Sequence, residues 1–185
     1  MMVNAGIALV REKGPEGLSV RNIASQLGCS TQPIMYQYAS MDELRQEIYE
    51  TVDAAHSQYL MQLDPNCENP LLEIGMRYIR YSVQERNLFR FLFQSDRFPS
   101  PSLQSMMDSE GLRPIFDAFQ TVAGLTEEQS KQAFAALFIS AHGIASMLAN
   151  NSLQYEEEFF SGILMNVFYG VIGVMVGQSN AETVS

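Results

Sequence analysis

The sequence predicts an all-α protein in which a small N-terminal unit of three helices precedes a larger helical bundle. Three observations support this fold class. Apolar residues recur at helical spacing along most of the 185 residues, and Ser or Thr stands before several of these segments as a candidate N-cap. The chain also lacks a convincing stretch of the alternating pattern that is typical of strands. A hydrophobic content of 46% is ordinary for a globular protein and is sufficient for a core.

The first three helices are short and follow one another closely. Residues 3–13 place apolar side chains at helical spacing and are followed by "GPEG", which ends the helix. Ser19 is a suitable N-cap for a second helix over 20–27. Ser30 is the predicted cap of a third helix, "TQPIMYQY", whose proline occupies the first turn, where it is tolerated.

A long fourth helix is predicted to connect this N-terminal unit to the rest of the chain. The segment "SMDE" at 40–43 is a capping box, and the helix that it opens runs over about 41–63. The segment "DPNCENP" at 64–70 is the best linker in the chain. We therefore predict an N-terminal domain over residues 1–48 and a C-terminal domain over 49–185, with the long helix joining them.

The C-terminal domain is predicted to be helical throughout. Thr126 and Gln129 form a second capping box, and "DRFPSPS" at 96–102 is predicted to be a loop. The predicted helices cover residues 71–85, 87–94, 107–123, 127–150 and 156–177.

Composition restricts the function classes. The net charge of −10 argues against indiscriminate nucleic-acid binding but permits a local reading surface. Cys29 and Cys67 match no metal spacing or disulfide framework, and no signal peptide is visible at the start. The longest uncharged apolar candidate, at 162–177, is too short to span a bilayer. We expect a cytoplasmic protein with no membrane association, metal or cofactor.

The second and third helices, joined by "LGCS", predict a helix-turn-helix unit that reads double-stranded DNA. Ile23, Ala24, Leu27 and Ile34 form its buried side. Glutamine can hydrogen-bond adenine edges, threonine and methionine can contact a thymine methyl group, and hydroxyl groups can hold phosphates. The predicted DNA contacts are Ser19, Arg21, Ser30, Thr31, Gln32, Met35, Tyr36 and Gln37. The alternative for these positions is a solvated polar face or, for Met35 and Tyr36, packing.

Residues 3–49 resemble the DNA-binding domain of the TetR family of bacterial transcription regulators. The matching positions are Ser19, Ile23, Ala24, Leu27, Gly28, Ser30, Tyr38, Glu43 and Leu44. The resemblance implies a dimeric, ligand-responsive regulator, more often a repressor, which a small-molecule effector releases from a palindromic operator. It also implies that Tyr38 packs beneath the fourth helix and does not contact DNA.

The sequence departs from the family pattern in ways that leave a second function open. Met35 and Met41 stand where the family usually has tyrosine and lysine, and no basic arm precedes the first helix. Residues 1–60 contain four basic and seven acidic residues, a net charge of −3. The alternative is a helical small-molecule-binding or scaffold dimer with weak or lost DNA binding. We expect no enzymatic activity, since the chain shows no nucleophile–base pair at recognisable spacing and no phosphate-binding loop.

The C-terminal domain is rich in methionine and aromatic residues, which suit an apolar effector pocket between helices. The predicted pocket residues are Tyr78, Tyr81, Phe89, Phe93, Met107, Phe116, Phe119, His142 and Met147. For each of them, simple core packing is the alternative. The arginines at positions 77, 80, 86, 90 and 97 suggest a solvated, salt-bridged face more than a grip on an anionic effector.

The last two long helices are predicted to form the dimer. They are apolar on all sides and contain small residues that permit close helix approach, so a symmetric four-helix bundle would bury them. The predicted interface residues are Phe134, Leu137, Ile144, Leu148, Phe168 and Ile172. A dimer would present two recognition helices to two half-sites.

Overall fold

The computed structural model describes residues 1–95 and 102–183, with side chains described as far as residue 176. This part of the chain contains helices and no β-strand, which confirms the predicted fold class. Short 3₁₀ turns lie at Pro15–Gly17 and Glu110–Leu112. The α-helices are α1 (Met2–Lys13), α2 (Val20–Leu27), α3 (Gln32–Gln37), α4 (Met41–Met61), α5 (Pro70–Gln84), α6 (Arg86–Phe93), α7 (Leu103–Met107), α8 (Arg113–Ala123), α9 (Glu127–Ala149) and α10 (Glu157–Thr183).

Three of the four predicted N-caps, Ser19, Ser40 and Thr126, accept a hydrogen bond from a first-turn backbone N–H. Ser19 accepts a hydrogen bond from the backbone N–H of Asn22, at 3.2 Å. At the start of α9, the Thr126 hydroxyl accepts from the Gln129 N–H, and the Gln129 side chain accepts from the Thr126 N–H, which completes the predicted capping box. These bonds satisfy donors that the first turn of a helix leaves without partners.

Three sequence expectations need correction or fall outside the described residues. The helix predicted over 107–123 is interrupted, because proline is favoured in a first turn and α8 begins just before Pro114. Ser30 does not cap α3, whose N-cap position is Thr31, without a side-chain cap. The predicted loop at 96–102 lies almost wholly outside the described residues.

The N-terminal helices share one apolar core with parts of α5, α6, α9 and α10. α1 contacts α2, α4 and α6. It lies so close to α4 that a Cβ atom on Gly6 would stand 2.3 Å from Ile48 Cδ1. Leu44, Ile48 and Val52 of α4 are buried in a cluster that continues into α5, α6 and α9. α4 is therefore a single helix that belongs to both parts of the molecule.

The body is built around α5 and α9, which pack together along their length, with α10 against both. A second apolar cluster forms at the end remote from α1–α3, where α8 and the beginnings of α5 and α9 meet the later part of α10. Its buried members are Leu71, Ile115, Phe119, Leu125, Ala133, Phe168 and Met175.

Two helices in the described chain are long and apolar enough, by length and composition, to cross a bilayer. They are α9 and the Glu157–Val176 part of α10, and only 33% and 22% of their most apolar windows is buried in the protomer. The expectation that the run at 162–177 is too short considered that run alone, whereas α10 begins earlier, at Glu157. Core helices of soluble proteins meet the same criterion, and the low buried share leaves apolar outer faces on both helices.

Candidate functional site

The helix-turn-helix unit is formed by α2, α3 and the turn between them. Ile23, Ala24 and Ile34 are buried on its inner side. Gly28 ends α2 in the left-handed region at φ 65°, a conformation that glycine adopts without steric cost. The Asn22 side chain donates to the Gly17 carbonyl at 2.7 Å and so anchors the start of α2.

The structure exposes the side of α3 that the sequence assigns to DNA. Tyr36 is 94% exposed and Met35 is 55% exposed. Thr31, Gln32 and Gln37 are also exposed. A shallow groove on this surface is bordered by Met2, Ser30, Gln32, Pro33, Tyr36 and Gln37. Of the eight predicted contacts, seven are exposed and Ser19 is half-buried, its hydroxyl engaged as the α2 cap.

Tyr38 lies in the core, 6% exposed, and its hydroxyl donates to the Glu47 carboxylate at 2.6 Å. The Gln37 amide donates weakly to the same hydroxyl at 3.5 Å. Burial, followed by the hydrogen bond to Glu47, raises the pKa of Tyr38 to about 12. Tyr38 thus connects the end of α3 to α4.

The surface around α3 carries little positive charge. Arg21 is exposed and has no ion pair within the described residues. The other arginines nearby are engaged: Arg11 pairs with Glu85 at 2.8 Å and Arg45 with Asp42 at 2.7 Å. Met41, at the start of α4, is half-buried against the core.

A cavity of about 540 Å³ opens where the two apolar clusters meet. α4 contributes Tyr49, Asp53, His56, Ser57 and Leu60 to its wall. The helices from α5 to α10 and the segments between them supply the remaining sides, and most of these side chains are apolar. This size and composition are typical of pockets for small organic ligands.

Four of the nine predicted pocket residues line this cavity: Tyr78, Phe93, Phe119 and His142. Tyr81 and Phe89 are buried behind the wall, packed against rings that line it. Met106 lines the cavity in place of Met107, Phe116 packs on Phe134, and Met147 is 43% exposed on the outer surface.

The polar groups in the wall are few, and His56 and Tyr78 are the buried ones among the described lining residues. The Tyr78 hydroxyl and His142 Nδ1 share a hydrogen bond of 2.8 Å. His56 is 4% exposed and surrounded by aromatic rings, and its Nε2 has no hydrogen-bond partner within the described residues. Burial lowers the pKa of His56 to about 4 and raises the pKa of Asp53 above its usual value.

Sequence reasoning missed the contribution of α4 to this cavity. Tyr49, Asp53, His56 and Leu60 recur at intervals of four, three and four residues, which places them on one helix face. That periodic signal was present in the sequence. A carboxylate and a histidine on an otherwise half-buried helix face are the features that could have identified it.

Two of the five predicted arginines, Arg80 and Arg90, form salt bridges, whereas the buried Arg86 Nε has no hydrogen-bond partner within the described residues and position 97 lies outside them. Arg80 pairs with Glu73 and Glu157, and Arg90 pairs with Glu16 at 3.3 Å. Arg77 donates to the Tyr59 carbonyl at 2.8 Å and lies over the Tyr59 ring. None of the described arginines or lysines lines the cavity.

The structure places the predicted dimer residues inside the protomer. Ile144, Leu148 and Phe168 are buried in it. Phe134 and Leu137 line the cavity, and Ile172 packs on the second cluster. The outward apolar face of α9 and α10 carries different residues: Ile139, Gly143, Met147, Phe159, Met165, Tyr169, Gly170, Gly173 and Val174.

The chain resembles known proteins in its three-dimensional structure. No family model matches the sequence, and no curated protein matches it by sequence comparison. A TetR-like transcriptional regulator from Rhodococcus sp. RHA1 superposes with a TM-score of 0.64 at 18% identity, covering 93% of this chain and 94% of that one. A TetR variant from Acinetobacter baumannii AYE in complex with minocycline gives 0.58 at 13% identity, covering 97% and 95%.

A second transcriptional regulator from the same Rhodococcus strain gives a TM-score of 0.64 at 18% identity, covering 96% of this chain and 95% of that one. These matches span both the helix-turn-helix unit and the body, so the similarity is not limited to the short N-terminal motif. At these identities they establish the fold. This chain therefore has the fold of the TetR-like regulators, as its first 49 residues suggest.

Proposed function

We propose that this protein is a dimeric, site-specific DNA-binding regulator of transcription. In this proposal the exposed side of α3 is the surface that reads DNA, and occupation of the cavity controls its position. The observation that carries the proposal is the path of α4. Its first half packs against α1, where Ile48 lies beside Gly6, and Glu47 accepts a hydrogen bond from Tyr38 at the end of α3. Its second half lines the cavity through Asp53 and His56. A ligand that favours one position of α4 would therefore bias the reading unit.

A second route runs through α6. Leu92 and Phe93 of α6 line the cavity. The residues around the start of this helix hold the end of α1: Glu85 accepts from Arg11, and the Asn87 side chain donates to the Arg11 carbonyl at 3.0 Å. Two elements of the cavity wall thus contact the N-terminal unit, which supports coupling between a ligand and DNA.

Dimerisation would cover the outward face of α9 and α10. Ile139 is 58% and Val174 60% exposed. A Cβ atom on Gly143, Gly170 or Gly173 would meet nothing within 4 Å in the protomer, so its own fold does not require glycine there. Close approach of a partner helix gives these glycines a role, and it would bury apolar surface that water otherwise contacts.

The direction of control that we propose is repression, with release from a palindromic operator when the effector binds. The acidic surroundings of α3 and the buried position of Met41 favour a second candidate, a small-molecule-binding dimer whose DNA affinity is weak or lost. The two candidates differ in one measurable property, selective DNA binding.

Selection from a random duplex pool at low salt, repeated at higher salt, tests the proposal. We expect a palindromic site to be enriched. Gln32→Ala and Gln37→Ala should each weaken binding to it by about tenfold, since a glutamine–base contact contributes about 1–3 kcal/mol of discrimination. Gln58→Ala, an exposed glutamine on α4, is the matched control. No enrichment by a folded dimer would favour the second candidate.

A further inference from the structure

Asp53 is a half-buried carboxylate that lines the cavity, and no described lysine or arginine lines the cavity with it. It makes no hydrogen bond or ion pair with any residue that the structure describes. Charged side chains taken out of water are normally paired. The cavity therefore holds a carboxylate for which the described residues provide no partner.

Aromatic rings surround much of the same cavity. Tyr49, Tyr78, Phe93, Phe134 and Phe138 all line it, and their faces offer partial negative charge to a cation. No lysine or arginine in the described chain lines the cavity. The wall therefore disfavours an anionic ligand and suits a flat apolar ligand that carries positive charge.

His56 adds a second polar group without a partner. It stands one helical turn after Asp53 on α4, and its buried Nε2 is unsatisfied within the described residues. In the tautomer that carries its proton on Nδ1, Nε2 accepts a hydrogen bond. Because this nitrogen is buried among aromatic rings, a ligand could reach it only if neighbouring side chains moved.

We propose that the cavity binds a lipophilic aromatic cation, with Asp53 as its counter-ion and the aromatic wall around its ring system. The proposal specifies the ligand class of the effector cavity. Its regulatory meaning rests on the proposed function, but the binding itself does not require DNA.

Three ligands with the same tricyclic frame separate charge from shape. At pH 7.5, 9-aminoacridine is a cation, acridine is neutral and acridine-9-carboxylate is an anion. Titration of each into the full-length protein, followed by fluorescence and calorimetry, gives three dissociation constants. We expect the cation to bind at least about tenfold more tightly than acridine, and the anion to bind most weakly.

Asp53→Asn tests the counter-ion directly. We expect it to weaken binding of 9-aminoacridine by about tenfold while changing that of acridine by less than about twofold. Glu50→Gln is the matched control, an exposed carboxylate on α4 that does not line the cavity. An asparagine side chain has the size of aspartate without the unpaired charge, so the variant should fold, which circular dichroism checks.

Phe138→Leu is a second variant. It should weaken binding of 9-aminoacridine by severalfold, because the cavity loses one aromatic face. The proposal is overturned if Asp53→Asn leaves the cation's affinity unchanged, if the anion binds most tightly, or if the folded protein binds no 9-aminoacridine. Cation binding without a selected DNA site would retain the ligand class and reject the regulator. A selected DNA site without cation binding would retain the regulator and reject the ligand class.

Discussion

The Tyr78 hydroxyl lies 2.8 Å from His142 Nδ1, and this hydrogen bond joins α5 to α9 in the wall of the cavity. The pair is embedded among the rings of Phe89, Phe93 and Phe138. Burial raises the pKa of Tyr78 and lowers the pKa of His142, so both side chains are neutral near pH 7. The bond is a neutral polar link in a wall that is otherwise mostly aromatic.

Loss of this link should destabilise the body. Tyr78→Phe leaves His142 Nδ1 without its partner, and we expect the free energy of unfolding to fall by about 1–2 kcal/mol. Urea denaturation measures the change. Tyr36→Phe is the control, since Tyr36 is 94% exposed and its loss of a hydroxyl should be neutral. Equal stability of the two variants would contradict a structural role for the bond.

The buried His56 should make stability depend on pH. Its pKa in the folded state is about 4, below the usual 6.5, because burial disfavours the protonated form. The unfolded chain therefore binds the proton first, and stability that is complete above pH 6.5 is lost as the pH falls toward 4. The full loss is on the order of 3 kcal/mol.

His56→Phe isolates this contribution, because phenylalanine preserves the aromatic contacts around the site. We expect the difference in unfolding free energy between the variant and the parent to grow as the pH falls from 7 to 4. Asp53, whose pKa is raised by burial, contributes with the opposite sign, but it is present in both proteins and cancels. A difference that is constant with pH would refute the assignment.

The outward face of α10 should hold the dimer together. Val174→Glu places a charge on this face, and we expect it to shift the protein from dimer to monomer in sedimentation equilibrium. Val122→Glu is closely matched, since Val122 on α8 is 67% exposed and Val174 is 60% exposed. The control should remain dimeric. Equal dimer dissociation constants for the two variants would show that the interface lies elsewhere.

Met41→Lys should strengthen DNA binding. Met41 begins α4 and is only half-buried, so a lysine can keep its stem against the core with its ammonium group in water. One added phosphate contact in each protomer should raise affinity for the selected duplex by severalfold at low salt. The slope of log affinity against log salt concentration should also become steeper by about 1 per protomer. Fluorescence anisotropy at several salt concentrations measures both, and an unchanged salt slope would exclude a phosphate contact.

Local signals in the sequence predicted much of this fold. The cap at Ser19, the capping box at Thr126 and the left-handed glycine at position 28 all act within a few residues, so their chemistry can be read directly. The helix over 107–123 failed because the spacing of its apolar residues continues across Pro114, although proline restarts the helix there.

The inward and outward faces of α9 and α10 could not be assigned from the sequence. Both helices are apolar on all sides, so periodicity does not show which side chains enter the protomer. Phe134 and Leu137 were predicted to meet a partner, yet they line the cavity, while Met147 was predicted in the pocket and lies outside. The packing of α9 against α5, α8 and α10 fixes this orientation.

The central claim is that a symmetric dimer holds two copies of α3 for successive major grooves. Cys29 is exposed beside α3, so a spin label there, in a Cys67→Ser background, reports the separation between protomers. With the selected duplex bound, pulsed electron resonance should give one narrow distance distribution near one turn of DNA, roughly 35 Å. No distance between protomers in that range, with or without the duplex, would contradict the claim.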